Sequence, residues 1–230
     1  KNLVKLVSHG FIEGFYHKPR IDLELLEKHS DGLIGLSACL AGPVAKTIRE
    51  VSYEKAVEIA LSYEEILGKG NFYLELQDHG MREQGEVNQN LFRMSKDTGI
   101  PLVATNDVHY TYKEDNKAHE ILLCIQTAKT MEDEDRMIYP GGEFYLKSSN
   151  EMLERFPYAK EAIENTYKIS QRCNVEFTFH ELKLPQYDVP KGYTPNEYLR
   201  KLCQEGFNLR YPNHNNELKK RLEYELMTIE

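Results

Sequence analysis

The 230-residue chain contains no tryptophan and only four cysteines, Cys39, Cys124, Cys173 and Cys203. The cysteines are scattered and form no CxxC pair, which argues against a structural zinc finger and for a reduced, cytoplasmic protein. No apolar run is long enough to span a bilayer, and no secretory signal pattern opens the chain. Basic residues are outnumbered, 29 Lys and Arg against 37 Asp and Glu, for a formal net charge of −8. A strongly basic nucleic-acid-binding face over the whole piece is thereby excluded, although an acidic domain can belong to a protein that binds DNA elsewhere. Phosphate-cradling glycine loops, GxSxG elbows and HExxH helices are also missing. Tyrosine is abundant, yet nothing marks a base-stacking platform.

What is present is an alternation of short apolar runs and helix-like segments. The runs are 33–38, 72–77 and 102–106, each of strand length. Between the first two lies a predicted helix over 53–67, with Ala56, Val57, Ala60, Leu61 and Ile66 on its apolar face. Between the second and third, a helix over 82–98 turns Val87, Leu91, Phe92 and Met94 inward and stops at Gly99. The order predicts right-handed βαβ crossovers and a parallel sheet, hence an α/β fold. A helix is expected over 116–127.

After Thr130 the pattern changes. An acidic loop at 131–136 precedes a Tyr139-Pro-Gly-Gly142 turn and a brief extended piece at 144–146. Ser148 and Glu151 have capping-box spacing ahead of a helix, and a second helix covers 159–172. Residues 175–179 are extended. Residues 184–193 read as a linker, and Thr194-Pro-Asn-Glu197 starts a helical region that runs to the end in helices at 195–207 and 216–230. Both ends fall inside committed patterns, so the chain reads as a fragment.

Each run ends in a residue able to bind a metal. Cys39 follows the first, Asp78 and His79 the second, Asp107 and His109 the third. In parallel α/β folds such strand ends gather function. Asp107 and His109, two apart, are expected to project together from their strand. A thiolate, a carboxylate and an imidazole suit zinc, and the Asp–His pair also suits manganese. The bland alternatives are a small buried Cys39, a turn residue at His79 before Gly80, and a helix-capping Asp107 beside a solvated His109. His119 reads as a packing residue on the helix after the third strand.

Several stretches resemble the alpha subunits of bacterial replicative DNA polymerase III of the DnaE type. They are Gly32-Leu-Ile-Gly-Leu-Ser-Ala-Cys-Leu-Ala-Gly42, Tyr73-Leu-Glu-Leu-Gln-Asp-His-Gly80, Ala104-Thr-Asn-Asp-Val-His-Tyr110, the 119–127 stretch, Phe144-Tyr-Leu-Lys-Ser148 and Arg221-Leu-Glu-Tyr-Glu-Leu226. The resemblance runs in order along nearly the whole chain. It implies that residues 1–183 are the later part of a PHP (polymerase and histidinol phosphatase) domain, a distorted (β/α)7 barrel whose strand ends bind a metal cluster. Residues 194–230 would begin the helical approach to the polymerase palm. Cys39, Asp107 and His109 are the implied ligands, for zinc or manganese, with His79 and Asp78 near the site.

The family's opening HxH motif is absent from this chain. Its magnesium-binding palm aspartates are expected beyond Glu230, and two-metal nucleotidyl transfer requires them. The resemblance implies DNA, deoxynucleoside triphosphates and other replisome subunits as partners of the parent. Its PHP domain is then a 3′–5′ exonuclease or an architectural support. The rival readings are a free-standing PHP phosphoesterase of the histidinol-phosphatase kind and a non-catalytic interaction domain. Missing barrel strands leave an open sheet edge through which the fragment is expected to self-associate.

Overall fold

A computed structural model describes residues 1–182, 184–185 and 187–229. The expected boundary at residue 183, linker position 186 and the final residue lie outside the described residues. The chain divides into two compact units, Lys1–Asn174 and Val175–Glu230.

The first unit begins with helices α1 (Asn2–Ile12) and α2 (Leu23–Lys28). Strand β1 (Gly35–Leu36) follows, then α3 (Pro43–Glu50) and α4 (Tyr53–Leu67), which lead to β2 (Phe72–Leu76). Helix α5 (Arg82–Thr98) crosses to β3 (Leu102–Ala104). The sheet has order β1-β2-β3, and both pairings are parallel, with Gly35 opposite Phe72 and Leu74 opposite Leu102. This is the predicted α/β architecture, with only part of a barrel present.

The strands are shorter than their apolar runs. β1 ends where Ala38 adopts a positive φ of 64°, and Asp107 beyond β3 has φ 41°. Neither backbone conformation can continue a ladder. α3 was not expected from the sequence. Its start is a local signal, Gly42 as N-cap and Pro43 at the first helical position, whose missing N–H would have had no helical partner.

The sheet's core face is dry. Phe72, Leu74 and Leu76 of β2 meet Ala56 and Ala60 of α4 and Val87, Leu91 and Met94 of α5, all buried. Leu61, placed on the inner face of α4 by periodicity, is 42 % exposed. Gly99 ends α5 in the left-handed conformation that glycine adopts without a Cβ clash.

Later elements return to close this core. Helix α6 (Asn116–Thr127) follows β3, then α7 (Ser149–Arg155) and α8 (Lys160–Arg172). The capping box at α7 forms, the Glu151 carboxylate accepting from the Ser148 amide at 2.8 Å. α8 packs on β3, and buried Asn165 donates to the Leu102 carbonyl at 2.8 Å. Phe156, between α7 and α8, is wholly buried in the same core.

The second unit holds α9 (Pro195–Arg210) and α10 (Asn216–Ile229). Thr194 and Glu197 form the expected capping box, with Pro195 in the first turn. Buried Phe207 and Leu226 supply its apolar contacts, and Arg200 pairs with Glu223 at 2.9 Å. No described helix is long and apolar enough to cross a membrane.

Candidate functional site

The chain leaves β3 into a loop pinned by side chains together with a few backbone bonds. Thr105 donates to Glu75 Oε1 at 2.5 Å. Asn106 donates through Nδ2 to the carbonyls of Glu143 at 2.9 Å and Tyr145 at 2.7 Å. The His109 amide donates to the Phe144 carbonyl at 2.8 Å. The 143–145 stretch is thereby clamped beside the strand end, and a short parallel bridge joins Tyr110 to Tyr145.

Asp107 and His109 do come together, with Asp107 Oδ1 3.6 Å from His109 Nε2. The cause differs from the expected strand alternation. β3 stops at Ala104, and the left-handed turn at Asp107, a conformation Asp tolerates better than most residues, brings the two groups to one side. The His109 ring packs against Tyr139 at 4.4 Å, His119 at 5.5 Å and Phe144 at 5.5 Å between centroids.

His79 is almost fully buried and has both ring nitrogens engaged. Its backbone amide donates to Gln84 Oε1 at 2.7 Å, which fixes the orientation of that side-chain amide. Gln84 Nε2 therefore faces His79 Nδ1, at 2.7 Å, and must donate to it. Nε2 of His79 then carries the proton and donates to the Asn106 carbonyl at 2.9 Å. The ring lies flat on Phe144, with centroids 3.8 Å apart. Burial pushes the proton affinity of His79 below the ordinary histidine value, against the opposing pull of the Asn106 carbonyl. The imidazole is thus neutral and held as architecture, with no free lone pair for a ligand. Asp78 makes a local turn, accepting from the Gly80 amide at 2.9 Å.

Cys39 is a free, partly buried thiol. It lines a cavity of about 10 Å³ beside Glu75, Gln77, Gln84 and Asn88. Glu75 Oε2 accepts from the Ala38 amide at 3.0 Å and so anchors the strained turn before Cys39.

Among the described residues, no group of three or more His, Cys, Asp or Glu side chains is placed to hold a metal ion. Asp107 and His109 form a pair, and Cys39 does not complete it. Two protein donors fall short of the three or four that zinc takes from protein. The residues present therefore do not by themselves fit a bound metal.

The surroundings nevertheless carry unspent polarity. Among the described residues, Gln77 Oε1, Asn106 Oδ1 and His119 Nδ1 are buried without hydrogen-bond partners. Buried polar atoms are rarely left so, and each invites a bound water, ion or ligand. Sequence reasoning missed Gln84, Asn106, Tyr139 and Phe144 as parts of this neighbourhood. No spacing rule finds them, because they meet through loops. Burial lowers the proton affinity of His119, and neighbouring His109 adds to the effect. A knot of charge secures the 143–147 segment, with Glu143 bound by Lys147 at 3.1 Å and Arg155 at 2.9 Å. Burial opposes ionisation of Glu143, but these cations hold its carboxyl below the usual range.

Comparison with known proteins adds the family. A model of the PHP domain matches residues 1–79. The DNA polymerase III subunit alpha of Treponema pallidum is 43 % identical over 230 residues, which is all of this chain and 20 % of that protein. The corresponding subunit of Borreliella burgdorferi is 43 % identical over 231 residues, again all of this chain and 20 % of that protein. That of Thermus aquaticus is 40 % identical over 219 residues, 93 % of this chain and 18 % of that protein. The chain spans about one fifth of the length of these relatives. Over its whole length the chain is similar to that one-fifth segment of the DNA polymerase III alpha subunits, and its residues 1–79 match the PHP domain.

Proposed function

We propose that this chain is part of a replicative DNA polymerase III alpha subunit, whose whole copies DNA from deoxynucleoside triphosphates in the bacterial cytoplasm. The observation that carries this reading is the 43 % identity along the entire chain. Magnesium and the aspartates of nucleotidyl transfer belong to a palm outside this chain, so these 230 residues alone do not polymerise. DNA, nucleotides and other replisome subunits are partners of the whole protein.

Within that protein, Asp107 and His109 contribute a carboxylate and an imidazole to a zinc or manganese site, and the Cys39 thiolate, which stands apart from that pair in this chain, is the third ligand. Residues outside this chain complete it. The approach of Asp107 to His109 at 3.6 Å and the orphaned Asn106 Oδ1 beside them support this. His79 and Asp78 shape the neighbourhood without binding the ion. Such a site gives the PHP domain a 3′–5′ exonuclease or an architectural role. Titrating zinc into the complete subunit tests it: Asp107→Ala and His109→Ala are expected to weaken binding at least ~10-fold, the lower end for lost metal-site groups. Unchanged affinity in both removes the metal assignment.

Taken alone, the chain self-associates. Among the described residues, β1 has a neighbour on one side only, and beside it an apolar groove of about 490 Å³ is lined by Leu3, Leu6, Phe11, Leu33 and Leu36. An unpaired edge next to apolar surface favours pairing with another chain. Light scattering of the 230-residue chain is expected to show species above monomer mass. A monodisperse monomer with a cooperative melt above about 60 °C, the upper mesophile range, counts against it.

A further inference from the structure

At the start of the second unit, Val175, Phe177 and Phe179 alternate with Glu176, Thr178 and His180. In an extended chain, alternate side chains fall on opposite faces, so the three apolar groups share one face and the polar groups the other. Residues 173–178 are in neither helix nor strand, and a turn follows at Phe179 and His180, where His180 has φ 64°. Among the described residues, no backbone partner takes up the N–H and C=O groups of 175–177, ahead of that turn. The apolar face is bare: Val175 and Phe177 are each 74 % exposed and Phe179 78 %.

Valine, phenylalanine and threonine are strand-forming residues, and a period of two is the strand period. A segment docking as a helix would place its anchors three and four apart. One apolar and one wet face, with an unpaired backbone, is the makeup of a strand that adds to a sheet edge.

We propose that residues 175–179 form a β-strand that pairs with a sheet edge supplied by a part of the parent polymerase subunit outside this chain. This rests on the reading of the chain as part of that subunit. The alignment with the Treponema and Borreliella relatives covers all of this chain, hence this segment, and leaves four fifths of each relative to supply the edge. A second copy of the chain is the weaker occupant. Three side chains on five residues fall far short of the ~1,200–2,000 Å² that a stable interface buries.

Hydrogen exchange on the full-length subunit tests this. Amides in a peptide covering 173–182 are expected to exchange at least about 100-fold more slowly than an unstructured chain, as ladder amides do. Phe177→Lys on the apolar face should abolish this protection. Thr178→Lys on the wet face should leave it within about threefold, with exchange in the β1–β3 sheet unchanged in both variants. Exchange at the unstructured rate in the unsubstituted subunit overturns the proposal. So does loss of protection in both variants or in neither, or protection that disappears on dilution, which would assign the strand to a second copy. Parentage is tested separately by the native product's length: one of only 230 residues removes the parent reading, whatever the exchange data.

Discussion

The two halves of one strand path, before and after Leu76, are held by opposite chemistry. Phe72, Leu74 and Leu76 are buried among apolar side chains and need no partner atoms. Gln77 and His79, just beyond, are equally buried but polar, and they are held through Gln84, Asn88 and Asn106. The first half is fixed by shape and tolerates any well-fitting hydrocarbon. The second is fixed by direction, because each donor and acceptor must point at its mate. Stability and site geometry are therefore separable, and substitutions should pull them apart.

The largest effect is expected on the dry side. Phe156 is wholly buried where α7 and α8 meet the core. Phe156→Ala should cost ~3–5 kcal/mol, from lost transfer energy and an unfilled cavity. Urea unfolding at fixed protein concentration reads this as a drop in midpoint with little change in slope. A loss under about 1 kcal/mol would mean that the site collapses freely and that the core is not close-packed there.

A smaller loss, of different kind, is expected on the polar side. Gln84→Leu removes both mates of His79 at once, leaving its amide and Nδ1 unsatisfied. Each buried orphan costs about 1 kcal/mol once water reaches the vacated amide position, the lower end of the ~1–3 kcal/mol range, so the two together stay below the Phe156 loss. The same site sets a pH dependence. The proton affinity of His79 in the folded state lies below the ordinary value of 6.5. The unfolded chain therefore binds the proton first as pH falls. The stability owed to neutral His79 is fully present above about pH 6.5 and is lost as pH drops towards its folded-state value. His79→Gln should flatten the fall in urea midpoint between pH 7 and pH 5. An equally steep fall in the variant would assign that pH dependence to other groups.

These contrasts also explain what could be read from the sequence. The βαβ order, both later capping boxes and the Gly99 stop were legible because each is written within a few neighbouring residues. So was the nearness of Asp107 to His109, although the reason given, strand alternation, was replaced by a left-handed turn. The clamp of Asn106 on residues 143 and 145 was not legible. Its partners lie 37 and 39 residues away, and no periodicity encodes that contact. His79 looked like a turn residue or a neighbour of the site because its sequence shows Gly80 and hides Gln84, five residues on across a loop.

The smallest effect separates periodicity from burial within one helix. Ala60 and Leu61 are adjacent on α4, and the apolar pattern places both inward. Ala60 is completely buried, whereas Leu61 is 42 % exposed. The apolar stripe of a helix is wider than the surface its neighbours can cover, so its margin stays wet. Leu61→Gln should then change stability by less than about 0.5 kcal/mol, as surface substitutions do. Ala60→Leu, one position away, forces extra methylenes against the core and should cost ~1–3 kcal/mol. Comparable losses in the two variants would show that Leu61 is covered in solution, and the open edge of the first unit, with its nearby apolar groove, is where such cover would be sought.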